Sequence, residues 1–123
     1  MPSVFEATAG AALGVGSDQT GSVTQATSKA TGVTLNKTAG VITMDDAQLN
    51  AGVEVSFTVT NSEVTASDVV LVNHASAGTA GSYLAQANSI AAGSFAITVT
   101  NVSAGNLSEA IVLNFVALKG ASS

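Results

Sequence analysis

The 123-residue sequence contains no cysteine, no tryptophan and no arginine, and its only Lys/Arg cations are three lysines. Without cysteine, disulfides and thiolate metal sites are excluded. With so few cations and a net charge of −5, we expect no binding to nucleic acid, because that binding depends on lysine and arginine neutralising phosphates. A polybasic contact with a membrane surface is excluded for the same reason.

Long apolar runs are also missing. No stretch approaches the ~20 residues that a membrane-spanning helix needs. Residues 1–6 lack the basic and apolar regions of a signal peptide. We therefore expect no membrane partner and synthesis in the cytoplasm.

Charge is scarce, at 9% of residues against about 25% in typical soluble proteins. Threonine, serine, asparagine and glycine fill the polar positions, and alanine and valine supply most of the 46% apolar fraction. The length suits a single domain. This composition is typical of a β-protein with an uncharged polar surface, and also of a protein partly covered by neighbours, because interface cores are depleted in charge.

The sequence repeats its own pattern once. Thr-Ala-Gly at residues 38–40 returns at 79–81, and Thr-Val-Thr-Asn at 58–61 returns at 98–101. The offset is 41 residues in general and 40 in the Thr-Val-Thr-Asn segment. Turn chemistry and strand pattern are repeated, whereas no catalytic motif is. This indicates a chain selected for shape and assembly.

Alternating residues predict the fold class. Residues 53–60 alternate valine and phenylalanine with glutamate, serine and threonine, and residues 94–100 match them in the second copy. Strict alternation is typical of a half-buried antiparallel strand. Seven or eight short strands with turn signals about every 8–12 residues predict an antiparallel β-sandwich, jelly-roll-like or Ig-like.

The N-terminal segment differs from the rest. Residues 1–22 are rich in glycine, alanine, serine and threonine, and Phe5 and Leu13 are among their few sizeable apolar residues. We interpret this segment as an extended N-terminal arm that precedes a single β-sandwich domain at 23–123. The arm is either a disordered tail, since small residues alone do not offset ordering entropy, or a segment that orders against a partner.

Two strands are apolar on both faces, at residues 69–72 and 110–118. One face of each meets the sandwich core, and the other needs a cover, because large exposed apolar patches are rare on monomers. The arm, a loop or another subunit would supply it. We favour a subunit, since obligate interfaces resemble a bisected core. The candidate residues of a subunit or capsid interface are Phe5, Leu13, Val112, Asn114, Val116 and Leu118.

Asparagines recur at equivalent points of the two copies. Asparagine bonds its own backbone at turns, which suits Asn61 and Asn101 at strand ends. Asn114 lies inside an apolar strand, where a buried amide needs partners. We hypothesise that Asn114 makes an amide contact between subunits.

No constellation of residues indicates catalysis. His74 is the only histidine, and a catalytic histidine needs a nucleophile and an orienting carboxylate, for which Ser76 and Asp68 qualify by residue type alone. We predict a loop histidine at a strand end.

The carboxylates favour structural roles. A calcium site needs six to eight oxygen ligands, so we predict that Asp45 and Asp46 cap one helical turn at 45–48. Asp68 and Glu109 occupy matching places in the two copies, which favours loop capping over a glycosidase pair. We expect no enzymatic activity, no cofactor and no metal.

Three segments carry a resemblance to a known family. They are residues 22–37, Gly-Val-Ile-Thr-Met at 40–44 and Ser-Glu-Ala-Ile-Val-Leu-Asn-Phe at 108–115. They resemble small virion proteins of tailed phages and prophages, over about residues 22–120. The resemblance implies a capsid decoration or cement protein that sits on the capsid exterior as a symmetric oligomer, with a trimer favoured, and binds the major capsid protein. A receptor- or carbohydrate-binding module of a phage fibre is the alternative.

Overall fold

The computed structural model of the chain describes residues 17–119, which are all-β apart from a 3-10 helix at Ser17–Gln19. No helix in these residues is long and apolar enough to cross a bilayer. The eight strands are β1 (Thr20–Thr24), β2 (Val33–Thr34), β3 (Ala39–Thr43), β4 (Glu54–Thr60), β5 (Val69–Ser76), β6 (Tyr83–Ala91), β7 (Ser94–Asn101) and β8 (Val112–Leu118).

The strands form two four-stranded sheets. Sheet A has the order β1-β3-β8-β5, and sheet B has the order β2-β4-β7-β6. The predicted β-sandwich class and strand number agree with this architecture. The expectation of wholly antiparallel sheets is wrong, because β1 runs parallel to β3 and β2 runs parallel to β4.

The physical reason for the parallel pairs is the path of the chain. β1, β2, β3 and β4 alternate between the two sheets, so the chain reverses direction twice before it returns to the same sheet. Parallel neighbours require such a crossover, here made through the opposite sheet. Side-chain alternation reports which face is buried and carries no information on strand direction.

The core lies between the two sheets. Phe95 of β7 and Phe115 of β8 belong to opposite sheets, and their ring centroids are 5.4 Å apart. The inward faces predicted for β4 and β7 are buried at Phe57, Val59 and Ile97. Other fully buried apolar side chains are Ile42, Met44, Val99, Ile111 and Leu113.

The register of the central pairs sets corresponding positions of the sequence repeat opposite each other. Phe57 faces Ile97 in the β4–β7 pair, and Asn73 faces Asn114 in the β5–β8 pair. Both pairs are antiparallel. A residue a given number of positions after Phe57 or Asn73 therefore pairs with the residue the same number of positions before Ile97 or Asn114.

Two segments differ from their expected form. Residues 17–22 of the expected arm occupy the 3-10 helix and the first part of β1, whereas residues 1–16 lie outside the described residues. Residues 45–48 form no helical turn. The Asp45 amide, which a capping glutamine would bind, donates instead to Gln25 Oε1 at 2.9 Å. Asp45 Oδ1 still caps a tight turn, accepting from the Ala47 amide at 2.8 Å.

Candidate functional site

The candidate site is the outer surface of sheet A, called the A face here. Residues alternate along each strand, so the side chains that do not enter the core point away from sheet B. The A face comprises Thr20, Ser22 and Thr24 of β1, Ala39, Val41 and Thr43 of β3, Val112, Asn114, Val116 and Leu118 of β8, and Val69, Leu71 and Asn73 of β5.

The A face is unusually apolar for a surface. Val69, Leu71 and Leu118 are 54%, 53% and 46% exposed. Val69 lies directly opposite Leu118, and Leu71 lies opposite Val116, so these side chains form one contiguous patch. Contiguous exposed patches of this kind mark interaction surfaces more often than isolated exposed residues do.

An amide pair lies in the middle of the A face. Asn73 Nδ2 donates to Asn114 Oδ1 at 2.6 Å, and Val41 is the partner of Asn114 on its other side. Asn114 is exposed, and its hydrogen-bond partner, Asn73, lies in the same chain. The hypothesis of an amide contact between subunits stays a prediction.

The A face is also concave. A groove of about 680 Å³ runs across it from Ser22 and Ala39 to Leu71 and Val116. The outward side chains on β1 and β3 are mostly small, whereas β8 and β5 carry the larger leucines and valines. Residues of all four strands line the groove.

No outward side chain of the four strands of sheet A is charged. The A face consequently has no group that would attract a cation, a phosphate or a nucleic acid. Its chemistry suits binding by burial of apolar area together with a few uncharged hydrogen bonds.

The structure gathers four of the six predicted interface residues on β8. Val112, Asn114, Val116 and Leu118 all belong to the A face. Phe5 and Leu13 lie outside the described residues. Whether the four on β8 meet a subunit or a capsid stays a prediction. No residue of β3 was predicted to belong to this site, although Val41 is 38% exposed there.

A second cluster surrounds Glu109. Its carboxylate accepts hydrogen bonds from the Thr79 amide at 3.0 Å, the Thr79 hydroxyl at 2.8 Å and the Tyr83 hydroxyl at 2.8 Å. These bonds lower the pKa of Glu109. Burial, together with the bond to Glu109, raises the pKa of Tyr83. Glu109 caps the loop before β6, which is the role that the repeat predicted.

Asp68 makes the same kinds of hydrogen bond in the first copy, but to a residue three positions before it and not to a distant loop. Its carboxylate accepts from the Thr65 amide at 2.9 Å and from the Thr65 hydroxyl at 2.8 Å. Lys119 adds a salt bridge at 3.0 Å. The Asp68 carboxylate thus stabilises the turn at Thr65 and binds Lys119, the last residue that the structure describes.

His74 lies within β5, paired with Leu113, and not in the loop that the sequence predicted. Its side chain binds the turn that follows the strand. Its Nε2 lies 2.6 Å from the Ala77 carbonyl oxygen, so that nitrogen carries the hydrogen and donates. The ring edge packs on Tyr83, with centroids 5.4 Å apart. Asp68 precedes β5 and His74 lies six positions further along, about 20 Å away at about 3.3 Å per residue. The structure therefore does not assemble the combination of His74, Ser76 and Asp68.

A buried polar cluster around Lys29 was not predicted from the sequence. Lys29 is only 3% exposed, and its ammonium donates to the carbonyl oxygens of Asp45 and Glu109. Burial lowers the pKa of Lys29. Gln25 donates to the Lys29 carbonyl at 2.9 Å. A lone lysine in a loop of small polar residues gave no signal of this role, because lysine is almost never buried.

No family model, curated protein or solved structure matches this chain. Within residues 17–119, no group of three or more histidine, aspartate or glutamate side chains is placed to hold a metal ion. Among the features on these residues, the A face has the chemistry of a binding surface.

Proposed function

We propose that this chain is a structural virion protein of a tailed phage, a decoration or cement protein on the outer surface of the head. The observation that carries the proposal is the A face, a contiguous, uncharged and largely apolar surface. The carboxylates of Glu109 and Asp68, by contrast, stabilise loops and turns. The resemblance over residues 22–120 adds the phage context and the capsid partner.

The proposed mechanism is addition of buried area at the joints between capsid subunits. Each 100 Å² of apolar surface removed from water contributes about 2.5 kcal/mol. A head carries many copies of its shell protein, so a small gain per joint multiplies over the shell. The protein acts as a symmetric homo-oligomer that bridges neighbouring major capsid subunits and resists the outward pressure of packaged DNA.

The low charge of the chain supports this mode of binding. Bridging by burial does not depend on ion pairs, so it persists at high salt, where interactions between exposed charges are screened. We expect the protein to stay on heads as ionic strength rises. Dissociation that follows salt concentration steeply would indicate a charged contact instead.

The alternative is a receptor- or carbohydrate-binding module of a phage fibre. Sugar sites commonly offer an exposed aromatic ring, but the four aromatic residues in the described part of the chain are all buried: Phe57, Tyr83, Phe95 and Phe115. The described surface therefore favours decoration over sugar binding. Specific hits on a glycan array would reverse this preference.

Co-sedimentation with undecorated phage heads tests the proposal. Purified protein should pellet with the heads at a saturating ratio and should raise the temperature at which they release DNA. Heads stripped of their own decoration protein are the positive arm, and heads with all sites filled are the control. Protein that remains in the supernatant at saturating head concentration would refute the proposal.

A further inference from the structure

We infer that residues 9–15 of one copy of this chain add a strand to the outer edge of β5 in a second copy, antiparallel to β5. The occupant of that edge is thus a named segment of the same protein. The inference goes beyond the proposed function, because it concerns how copies join each other and uses the edge of a strand, whereas the capsid proposal uses the A face.

The first argument is the internal symmetry of the sandwich. The register of the sheets relates β4 to β7 and β5 to β8. Within residues 17–119, β4, β7 and β8 each pair with two strands, whereas β5 pairs with β8 alone. The neighbour that β5 lacks corresponds to β3, which lies antiparallel beside β8. The symmetry therefore leaves a strand position open beside β5.

The second argument is the direction of the backbone groups of β5. The Ala117 amide donates to the carbonyl oxygen of Thr38, next to β3, at 2.8 Å. Backbone groups alternate in direction along an antiparallel strand, so those of Val116 point toward β5, where Val116 pairs with Leu71. The residues of β5 whose N–H and C=O groups point away from β8 are consequently Val70, Val72 and His74.

The outer edge of β5 is unprotected. Among residues 17–119, no hydrogen bond is found to the outward backbone groups of this edge. Protein edges are usually protected by charged side chains, proline or bulges. Residues 69–73 contain none of these, and the irregularity of β5 lies further along, between His74 and Ser76. Such an edge is a template for an added strand.

The third argument identifies the segment that fits. Thr-Ala-Gly leads into β3 at residues 38–40 and also occurs at residues 8–10. At 79–81 the same tripeptide precedes β6 and forms no strand, so the motif alone does not specify one. In residues 9–15, however, alanine, leucine and valine alternate with glycine and alanine, which is the period of a strand.

The alignment of the two motifs sets the register. If residues 9–15 lie beside β5 as β3 lies beside β8, Leu13 pairs with Leu71 and Val15 pairs with Val69. The outward side chains of the added strand then extend the apolar side of β5. Its backbone groups at Gly10, Ala12 and Gly14 meet the free groups of the edge.

The inner side chains of the segment suit the available space. In this register Gly10, Ala12 and Gly14 face the interior of the sandwich, beside β6. A groove of about 430 Å³ lies between β5 and the start of β6, lined in part by Val72 and Ala85. Glycine and alanine need little room, so a strand with these residues on its inner face can approach β6 closely.

The length of the chain shows that the segment enters another copy. β1 and β5 are at opposite edges of sheet A, so a strand beyond β5 lies four spacings of about 4.8 Å, or about 19 Å, from β1. Two extended steps and the 3-10 helix at Ser17–Gln19 link Val15 to Thr20. They span only about 13 Å, which is too short to reach the edge of the same sandwich.

Sedimentation velocity of the full chain tests the inference in the absence of capsids. Wild-type protein should sediment as an oligomer. Ala12→Pro removes an N–H that would bond the backbone of Val72, and should raise the dissociation constant at least about tenfold. The matched control is Ala11→Pro, whose N–H would face solvent at the new edge, where proline is tolerated. Assembly of this variant should persist, and circular dichroism should show the same fold in both.

A pair of cysteines measures the register. The sequence contains no cysteine, and Leu13→Cys combined with Leu71→Cys would place two thiols at opposed positions with Cα atoms about 4.5 Å apart, which suits a disulfide. Oxidation should give covalent oligomers on a non-reducing gel. The control combines Ala12→Cys with Leu71→Cys and should remain uncoupled, because those side chains would point to opposite faces of the sheet.

Three results would overturn the inference. The first is a wild-type monomer at every concentration. The second is a disulfide within one chain, which would show that the segment returns to its own sandwich. The third is equal loss of assembly in Ala11→Pro and Ala12→Pro, which would show that backbone pairing is not the contact. The proposed function is judged separately, by co-sedimentation of wild-type protein with heads.

Discussion

Asn101→Ala should destabilise the fold more than Asn61→Ala, although the two asparagines occupy corresponding positions of the repeat. Asn101 is the last residue of β7, and Asn61 directly follows β4. Both side chains are fully buried. Asn101 Nδ2 donates to the carbonyl oxygens of Leu49 at 2.8 Å and Gly105 at 2.9 Å. Its Oδ1 accepts from the amide of Ser103 at 2.9 Å and from its hydroxyl at 2.7 Å.

Asn61 makes two such bonds. Its Nδ2 donates to the Lys37 carbonyl at 2.7 Å, and its Oδ1 accepts from the Glu63 amide at 3.0 Å. In Asn101→Ala the Ser103 hydroxyl can turn to the Gly105 carbonyl, 3.0 Å away, which restores one bond. The net losses are therefore three bonds for Asn101 and two for Asn61.

At about 1–1.5 kcal/mol per bond, Asn101→Ala should lower the free energy of unfolding by about 3–4.5 kcal/mol and Asn61→Ala by about 2–3 kcal/mol. At about 2.1 cal/mol/K of unfolding entropy per residue, each kcal/mol shifts Tm by about 4 °C in a chain of this size. The assay is urea and thermal unfolding followed by circular dichroism. Both losses are large fractions of a typical domain stability of about 5–15 kcal/mol.

Asn50→Ala is the matched control. Asn50 is exposed, and its side chain accepts a hydrogen bond from the exposed side chain of Gln48 at 2.7 Å. Its replacement should change stability by no more than about 0.5 kcal/mol. If Asn61→Ala proves as damaging as Asn101→Ala, the number of buried side-chain bonds does not decide the cost and the reasoning fails.

Three further perturbations follow from the loops and the core. The lowered pKa of Glu109 means that its bonds stabilise the fold above the ordinary value of 4.5 and are lost as pH falls through the folded value. Glu109→Gln should therefore flatten the acid side of the stability profile, and an unchanged profile would contradict this. Lys29→Met removes the donor shared by two carbonyls and should cost about 1.5–3 kcal/mol, measured by urea unfolding, whereas a neutral result would mean that water replaces the ammonium. Phe95→Ala should cost about 3–5 kcal/mol in the same assay, and a loss below 1 kcal/mol would show that the sheets close over the cavity.

Local patterns allow the strands to be predicted well. Val59, Phe95 and Val99 are buried as their alternation indicates, because one face of each strand must enter the core. The loop-capping role of Glu109 also follows from the sequence, since the repeat aligns Glu109 with Asp68. These features depend on near neighbours in the chain or on the period of a strand.

Strand direction and long-range polar contacts could not be predicted. The parallel pairing of β1 with β3 depends on which sheet each strand joins, and side-chain period does not record that choice. Lys29 lies in a loop, and its partner Glu109 is 80 positions away along the chain. The residues next to Lys29 and Glu109 in the sequence do not indicate that the two form a hydrogen bond.

The contrast between the two sheets supports the A face as the proposed assembly surface. β4 and β7 alternate strictly because sheet B has a polar outer face, with Thr58 exposed and Ser56 bonded to Thr98 at 2.7 Å. β5 and β8 carry apolar residues on both faces, although they belong to the same kind of sheet. A sandwich needs only one apolar face on each sheet to fold. The second apolar face of sheet A is therefore not required for folding, and we propose that it makes contact with another protein surface.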